Sequence, residues 1–189
     1  DTPAVRSSPT DKPKPSPRQI LSWYVSNIDS NRKEGKGLFI FGSIGTGKTA
    51  IASIVAREAR SRRYTALFMP VAEMLSALFQ NSKFDDDTLI WDRAKSVDFL
   101  VLDDLGKGTA AESLAQKRAL DELLRYRSAW LLPVIITGNL VPKDLKEVVN
   151  ETTISLIRES CIPVAVIAKD RRDEEADKNR LLAEDAIRL

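Results

Sequence analysis

A chain of 189 residues, 43% hydrophobic and 30% charged, is long enough for one domain with a core and too short for two large ones. Its net charge of +2 supplies no global basic field, although a local basic face stays open. Cys161 is the sole cysteine and histidine is absent. That excludes internal disulfides, cysteine-cluster metal sites, Ser-His-Asp and Cys-His catalysis and histidine ligation, so any metal would be a hard cation on oxygen ligands. There is no secretory segment and no apolar run long enough to span a bilayer, which points to a cytoplasmic protein without a membrane partner. The chain opens at Asp1 rather than at methionine, so we expect a fragment with residues missing upstream.

Residues 1–18 hold five of the nine prolines (Pro3, Pro9, Pro13, Pro15, Pro17) with Lys12, Lys14 and Arg18, the composition of an extended linker. Residues 19–29 have the pattern of a short amphipathic helix. Short apolar runs then alternate with helical patterns, the signature of a mainly parallel α/β sheet. The strand runs are Leu38–Phe41, Ala66–Met69, Phe99–Leu102, Val134–Thr137 and Val164–Ile167, each apolar throughout, as for strands covered on both faces. Between them, Ile51, Ile54, Val55 and Ala59 form one core stripe at helical spacing. Val71, Met74, Leu75, Leu78 and Phe79 form a second, and Leu120, Leu123 and Leu124 a third. Asp85-Asp86-Asp87 lacks the rest of a calcium loop and suits a helix N-terminus. Residues 173–189 are highly charged, with Leu182, Ala186 and Leu189 on one side of a possible helix.

Three segments carry chemistry. Gly42-Ser43-Ile44-Gly45-Thr46-Gly47-Lys48-Thr49, followed by Ala50, meets the phosphate-loop pattern at every fixed position, after a strand and before an amphipathic helix. Glycines let backbone N–H groups close around a β-phosphate, and the helix adds its positive end. Lys48 then reaches the β- and γ-phosphates of ATP, or the β-phosphate of ADP, and the Thr49 hydroxyl ligates Mg2+. Phe99-Leu100-Val101-Leu102-Asp103-Asp104 brings two acids to the end of a buried strand. Asp103 is expected to hold Mg2+, through water, and Asp104 to orient or deprotonate the attacking water. Val134-Ile135-Ile136-Thr137-Gly138-Asn139 is a third buried strand ending in an amide. Asn139 there either positions water near the γ-phosphate or belongs, with Thr137, to a strand-end turn. Arg57, Arg60, Arg62 and Arg63 crowd the end of the helix after the loop. They are either a solvated face or a contact for a nucleic-acid backbone.

Together these segments resemble the AAA+ domain of the bacterial replicative-helicase loaders, the DnaC/DnaI family and its phage relatives, over about Gln19 to Arg172. The telling stretches are Gly35-Lys36-Gly37-Leu38-Phe39-Ile40-Phe41-Gly42, Leu102-Asp103-Asp104-Leu105-Gly106, Arg125-Tyr126-Arg127 and Ile135-Ile136-Thr137-Gly138-Asn139-Leu140. The resemblance implies an additional-strand P-loop fold with a five-stranded sheet and no separate lid domain, Asp103 and Asp104 as the Walker B acids, and Asn139 as sensor 1. It also implies an ATP-dependent homo-oligomer that binds single-stranded DNA and delivers a hexameric replicative helicase. Transposition helper ATPases of the IstB type share nearly all of these motifs. A P-loop kinase of small metabolites is a different class, disfavoured by the Asp-Asp pair, by Asn139 and by the lack of an arginine-rich lid.

Two departures from the family pattern stand out. Loaders carry a Ser/Asp-Arg-Leu-x-Glu segment whose arginine reaches the neighbouring subunit's ATP. Here the segment is Ser155-Leu156-Ile157-Arg158-Glu159, with leucine in that place. On a helix over 152–160 with an apolar face of Ile154, Ile157 and Cys161, Leu156 lies roughly 130° from the face centre and Arg158 about 65°. Leu156 is then expected to point outward, leaving slow hydrolysis or an arginine finger from Arg158 by another path. Lys169-Asp170-Arg171-Arg172 resembles the family's Ser/Asp-Tyr-Arg ending, with Arg171 in the tyrosine's place and Arg172 matching the arginine expected as sensor 2.

Overall fold

The computed structural model describes residues 15–79, 86–106 and 114–167. Most of the 1–18 segment, the 173–189 tail, Asp85 and Arg172 lie outside the described residues. Asp86 and Asp87 open a helix, but their side chains, with those of Leu78 and Phe79, are not described.

The chain enters through helix α1 (Pro17–Ser26), two residues inside the expected linker. Ser16 is the reason: its hydroxyl accepts from the Gln19 N–H while the Gln19 side chain accepts from the Ser16 N–H, and Pro17 fills the first helical position. The single helix expected over 19–29 is two, because α1 ends at Asn27 and α2 (Ile28–Glu34) follows. The turn after α2 needs glycine: Gly35 has φ 66°, and a Cβ there would come within 2.8 Å of the Leu131 backbone.

The five strands are β1 (Gly37–Phe41), β2 (Ala66–Pro70), β3 (Phe99–Leu105), β4 (Val134–Gly138) and β5 (Cys161–Ala165). They form one parallel sheet in the order β2-β3-β4-β1-β5. Strand alternation sends neighbouring residues to two separate cores. Leu38, Ile40, Phe99, Val101 and Ile135 pack with α1, α2 and α3 (Lys48–Ser61). Phe39, Leu100, Leu102 and Ile136 pack on the other face, beneath α4 (Val71–Phe79), α5 (Asp86–Ser96), α6 (Leu114–Ala129) and α7 (Glu151–Ser160).

Four expectations need correction. The buried stripe of α3 is Ala52, Val55, Ala56 and Ala59, while Ile54 is 49% exposed: small residues let this helix lie close on the sheet. The edge strand β2 is not covered on both faces, and Phe68 reaches solvent. The last strand is Cys161–Ala165 rather than Val164–Ile167; Pro163 is tolerated because β5 is an edge, and Ile167 is exposed. On α7, Leu156 does not point outward. It packs half-buried against the core and Arg158 is exposed. The buried face includes Thr153, whose hydroxyl donates to Asp121 at 3.0 Å. Counting Thr153 and the half-buried Ser160, and leaving out Cys161, which opens β5 rather than closing the helix, moves the face centre by roughly 45° and brings Leu156 nearer to it than Arg158.

At the amino end of the sheet sits fully buried Arg127. Its guanidinium donates to the carbonyls of Ala94, Lys95, Asp98 and Pro133 at 2.7–3.4 Å, joining the end of α5 to the starts of β3 and β4. Burial pushes its pKa down to about 9, so it stays charged at neutral pH. Beside it, Asp98 accepts from Arg32 Nε (2.9 Å) and from the N–H and hydroxyl of Thr65. Burial likewise holds the Cys161 thiol neutral, with its pKa up at about 11.

Candidate functional site

β1 ends at Phe41 in the middle of the sheet and feeds the 42–47 loop, after which α3 begins at Lys48. Gly42 has φ 153° and a Cβ on it would meet the Val166 carbonyl oxygen at 2.1 Å, so only glycine fits. Gly45 and Gly47 also have positive φ, and Gly47 caps α3 without any side-chain bond. The N–H groups of the first turn and the positive helix end are therefore left for an anion. Ser43 and Ile44 form the exposed lip of the loop, and the Thr46 hydroxyl closes it by donating to the Ser43 carbonyl at 2.9 Å. Lys48 is only 6% exposed, with its ammonium donating to the Gly42 and Ser43 carbonyls at 3.0 and 2.7 Å. Ala50 is exposed in the first turn.

The acids meet this loop because of sheet order. β3 and β1 flank β4, so their carboxyl ends lie one strand apart. The Thr49 hydroxyl lies 3.1–3.2 Å from both carboxylate oxygens of Asp103, which is itself 6% exposed. Asp103 and Asp104 lie inside β3, which runs three residues further than its apolar run. A register shift between Leu102 and Leu105 accommodates Asp104 at φ 59°, a left-handed conformation that aspartate tolerates better than most residues. It turns the half-buried Asp104 away from the strand alternation.

Thr137 holds this bulge. It is fully buried on β4, donates to Asp103 Oδ1 at 2.5 Å and accepts from the Asp104 N–H at 3.0 Å. Sequence alone left Thr137 as a strand-end residue; only the β3–β4 register shows that it touches both acids. Asn139 follows Gly138, which is paired with both Phe41 and Leu105, and is half-buried just past the carboxyl end of β4, the strand between β1 and β3. Thr49, Asp103, Asp104, Thr137 and Asn139 thus gather at one edge, whereas Arg158 does not join them. It sits in the last turn of α7, whose end abuts Cys161, and Cys161 is paired with Gly37 at the start of β1.

A second feature escaped the sequence. Leu21 and Val25 of α1, Ile51 and Ile54 of α3, and Val166 line an apolar depression of about 410 Å³ beside the loop. Its signal was present in Ile54, an isoleucine on the phosphate-loop helix that the core does not use. The arginine cluster also divides. Arg62 is tied to Asp29 and Glu58 at 2.8–2.9 Å, and the Tyr64 hydroxyl, followed by Arg62, holds the Asp29 carboxyl below its ordinary range. Arg57 and Arg60 remain exposed and without side-chain partners among the described residues.

A parallel sheet in this order, with a glycine loop opening a helix and an acid-ended neighbouring strand, defines a P-loop nucleotide-binding domain. The sequence pattern of the ATPase family associated with various cellular activities (AAA) matches residues 38–158, and the chain belongs to that family. It is 30% identical over 139 residues to the replicative helicase loader DnaC of Escherichia coli (strain K12), covering 71% of this chain and 54% of that protein. It is 29% identical over 115 residues to the replicative helicase loader DnaI of Bacillus subtilis (strain 168), covering 60% of this chain and 36% of that protein. The chain therefore spans about a third to a half of these relatives. Among solved structures, a crystal structure of DnaI superimposes with TM-score 0.69 at 25% identity, covering 88% of this chain and 90% of that one. The DnaC helicase loader does so with TM-score 0.69 at 26% identity, covering 84% and 95%. The loader resemblance drawn from the motifs stands, as does the α/β additional-strand fold.

Proposed function

We propose that this chain is the Mg-ATP-controlled module of a cytoplasmic protein that helps place a hexameric replicative helicase on single-stranded DNA. One observation carries the reading: the Thr49–Asp103–Thr137 contact, which joins the phosphate loop to the acidic strand. The kinship with helicase loaders supplies the biological setting. The loop takes the phosphates of ATP or ADP, with Lys48 turning from the Gly42 and Ser43 carbonyls to the bound anion. The apolar depression by Ile51 and Val166 offers a seat for the base.

The donor set suits magnesium. Thr49 and Asp103 offer oxygen only, and no group of three or more acidic or cysteine side chains able to cage a metal occurs among the described residues. A hard dication that keeps most of its water and shares a phosphate needs no more than this. Bound there, the ion would neutralise phosphate charge. Asp104 acts on the attacking water, and Asn139 reports on the γ-phosphate. Arg172 is proposed as the sensor 2 residue on family likeness alone.

Arg158 serves a neighbouring copy. The end of α7 lies at the start of β1, and five strand residues, about 16 Å, separate that point from the loop. An exposed arginine at that end is distant from its own phosphate loop, which supports a role at another subunit's nucleotide and slow ATP hydrolysis by the isolated chain.

Lys48→Ala tests the site: it is expected to abolish ATP and ADP binding in a calorimetric titration while the thermal transition stays cooperative. Unchanged affinity would show that phosphate binds elsewhere. Capture of a hexameric helicase by the full-length protein, lost in the same variant, tests the setting.

A further inference from the structure

The outer face of α3 and the uncovered edge of β2 enclose a depression of about 400 Å³ that the nucleotide site does not use. Ser53, Ala56, Arg57 and Arg60 line its helical wall, at the spacing that puts four residues on one helix face. Ala66 and Phe68 line the other wall, from alternate positions of β2. Small side chains at 56 and 66 leave the hollow, and Phe68 stands 37% exposed within it.

The charges here differ from those of the rest of the arginine cluster. Arg62 is held by Asp29 and Glu58, whereas Arg57 and Arg60 make no ion pair or side-chain hydrogen bond among the described residues. Like charges one turn apart on a helix repel. Two such guanidinium groups beside an exposed ring are relieved by a ligand that brings repeated negative charge and a flat apolar surface together. Acidic peptide brings the charge without the surface. Single-stranded nucleic acid brings both, since every base has a face to stack and every linkage a phosphate.

We infer that this groove is a single-stranded nucleic-acid contact, with Arg57 and Arg60 on adjacent phosphates and a base against Phe68. It rests on the DNA-directed reading above and adds the site. β2 is the sheet edge, so a strand can run along the groove without displacing any element among the described residues.

The test is fluorescence anisotropy of a labelled oligothymidylate of about 16 nucleotides, with ATP present, across a salt series. If two phosphates are engaged, R57A/R60A flattens the slope of log K against log salt by about 1.4. Phe68→Ala weakens binding by roughly 5- to 150-fold without changing that slope, and Phe68→Trp restores it. Arg125→Ala, an exposed arginine on α6 outside the groove, leaves the slope as in the wild type. ATP affinity is unchanged in all of these variants. Normal wild-type binding with an unaltered slope in R57A/R60A, or a Phe68→Ala loss no larger than that of Arg125→Ala, overturns the groove and leaves the DNA reading standing. Displacement of the DNA by polyglutamate at equal charge reassigns the groove to acidic peptide. No wild-type binding at low salt, with either ATP or ADP, overturns both.

Discussion

The two ends of the sheet bury similar chemistry and use it oppositely. At the amino end, Arg127 is enclosed by four backbone carbonyls, and Asp98 is met by Arg32 and Thr65. The partners of Arg127 are all fixed backbone at strand starts and helix ends, and Asp98 is held in part by the Thr65 N–H, so no ligand can replace them without opening the junction. At the carboxyl end, Lys48 rests on two carbonyls of a glycine-rich loop, and Asp103 meets two hydroxyls. Hydroxyls and loop carbonyls can be exchanged for phosphate and metal at little cost. A buried charge thus marks a site when its partners are exchangeable, and a joint when they are not.

Arg158 gives the largest expected effect, because it lies toward the amino end yet is not consumed there. If it serves a neighbour, ATPase rate per chain rises with protein concentration, and Arg158→Ala lowers that rate by ~10³–10⁵. The monomer's rate in dilute solution stays unchanged. Leu156→Arg, which would look like a repair of the family pattern, instead places a charge where a side chain packs on the core, and is expected to destabilise the fold. A concentration-independent rate, equal in wild type and Arg158→Ala, would remove Arg158 from the reaction.

Asp104→Asn comes next and probes the carboxyl end alone. Loss of the carboxylate proposed to act on water is expected to cost ~10²–10⁴ in turnover. ATP affinity should hold, since the proposed phosphate and metal contacts lie with Lys48, Thr49 and Asp103. Turnover equal to the wild type would move the role elsewhere.

The amino end answers to a different measurement. Arg127→Met keeps the length and removes the donors, leaving the carbonyls of Ala94 and Pro133 bare in the interior. Each buried group stranded in this way costs ~1–3 kcal/mol, so a loss of about 3 kcal/mol in urea unfolding is expected. Nucleotide affinity of the folded fraction should not change. If the variant kept its stability and lost nucleotide, the two ends would not be separable as argued.

How much of this was legible in the sequence follows from what each residue depends on. The phosphate loop was readable because every fixed position serves the loop's own backbone, with strand before and helix after. Asp103 was readable because a carboxylate ending a four-residue apolar run has few other uses beside such a loop. Thr137 was not, since its role lies in a cross-strand register. Arg127 reads as a surface charge on a helix, and only the convergence of α5, β3 and β4 shows that it is buried. Leu156 and Arg158 were oriented wrongly because an apolar count omits Thr153, which is buried with a bond to Asp121, and Ser160, and includes Cys161, which belongs to β5. Ile54 was placed in the core because helical spacing cannot tell an apolar face that meets the sheet from one that lines a hollow.

The smallest expected effect is a pH dependence at the amino end, and its sign is fixed by the contacts. Burial works to raise the Asp98 pKa, but the Thr65 N–H, the Thr65 hydroxyl and Arg32 outweigh it and hold the carboxyl below its ordinary 3.8. A folded-state pKa below the unfolded one means that the carboxylate stabilises the fold fully above the unfolded value. The contribution is then lost as pH falls through the folded value. The Asp98 side chain is 27% exposed, so solvent screening limits the gain to about 1 kcal/mol. The check is urea unfolding of wild type and Asp98→Asn between about pH 7 and pH 3. Wild type should be the more stable by a constant margin down to about pH 5, and the two should converge as pH drops below 3.8. Added salt should narrow the margin, because Arg32 is itself partly exposed. Nucleotide affinity should be the same in both proteins, as expected of a joint whose partners cannot be exchanged. A margin that widened toward acid would mean that burial, and not the Thr65 and Arg32 contacts, governs this carboxylate.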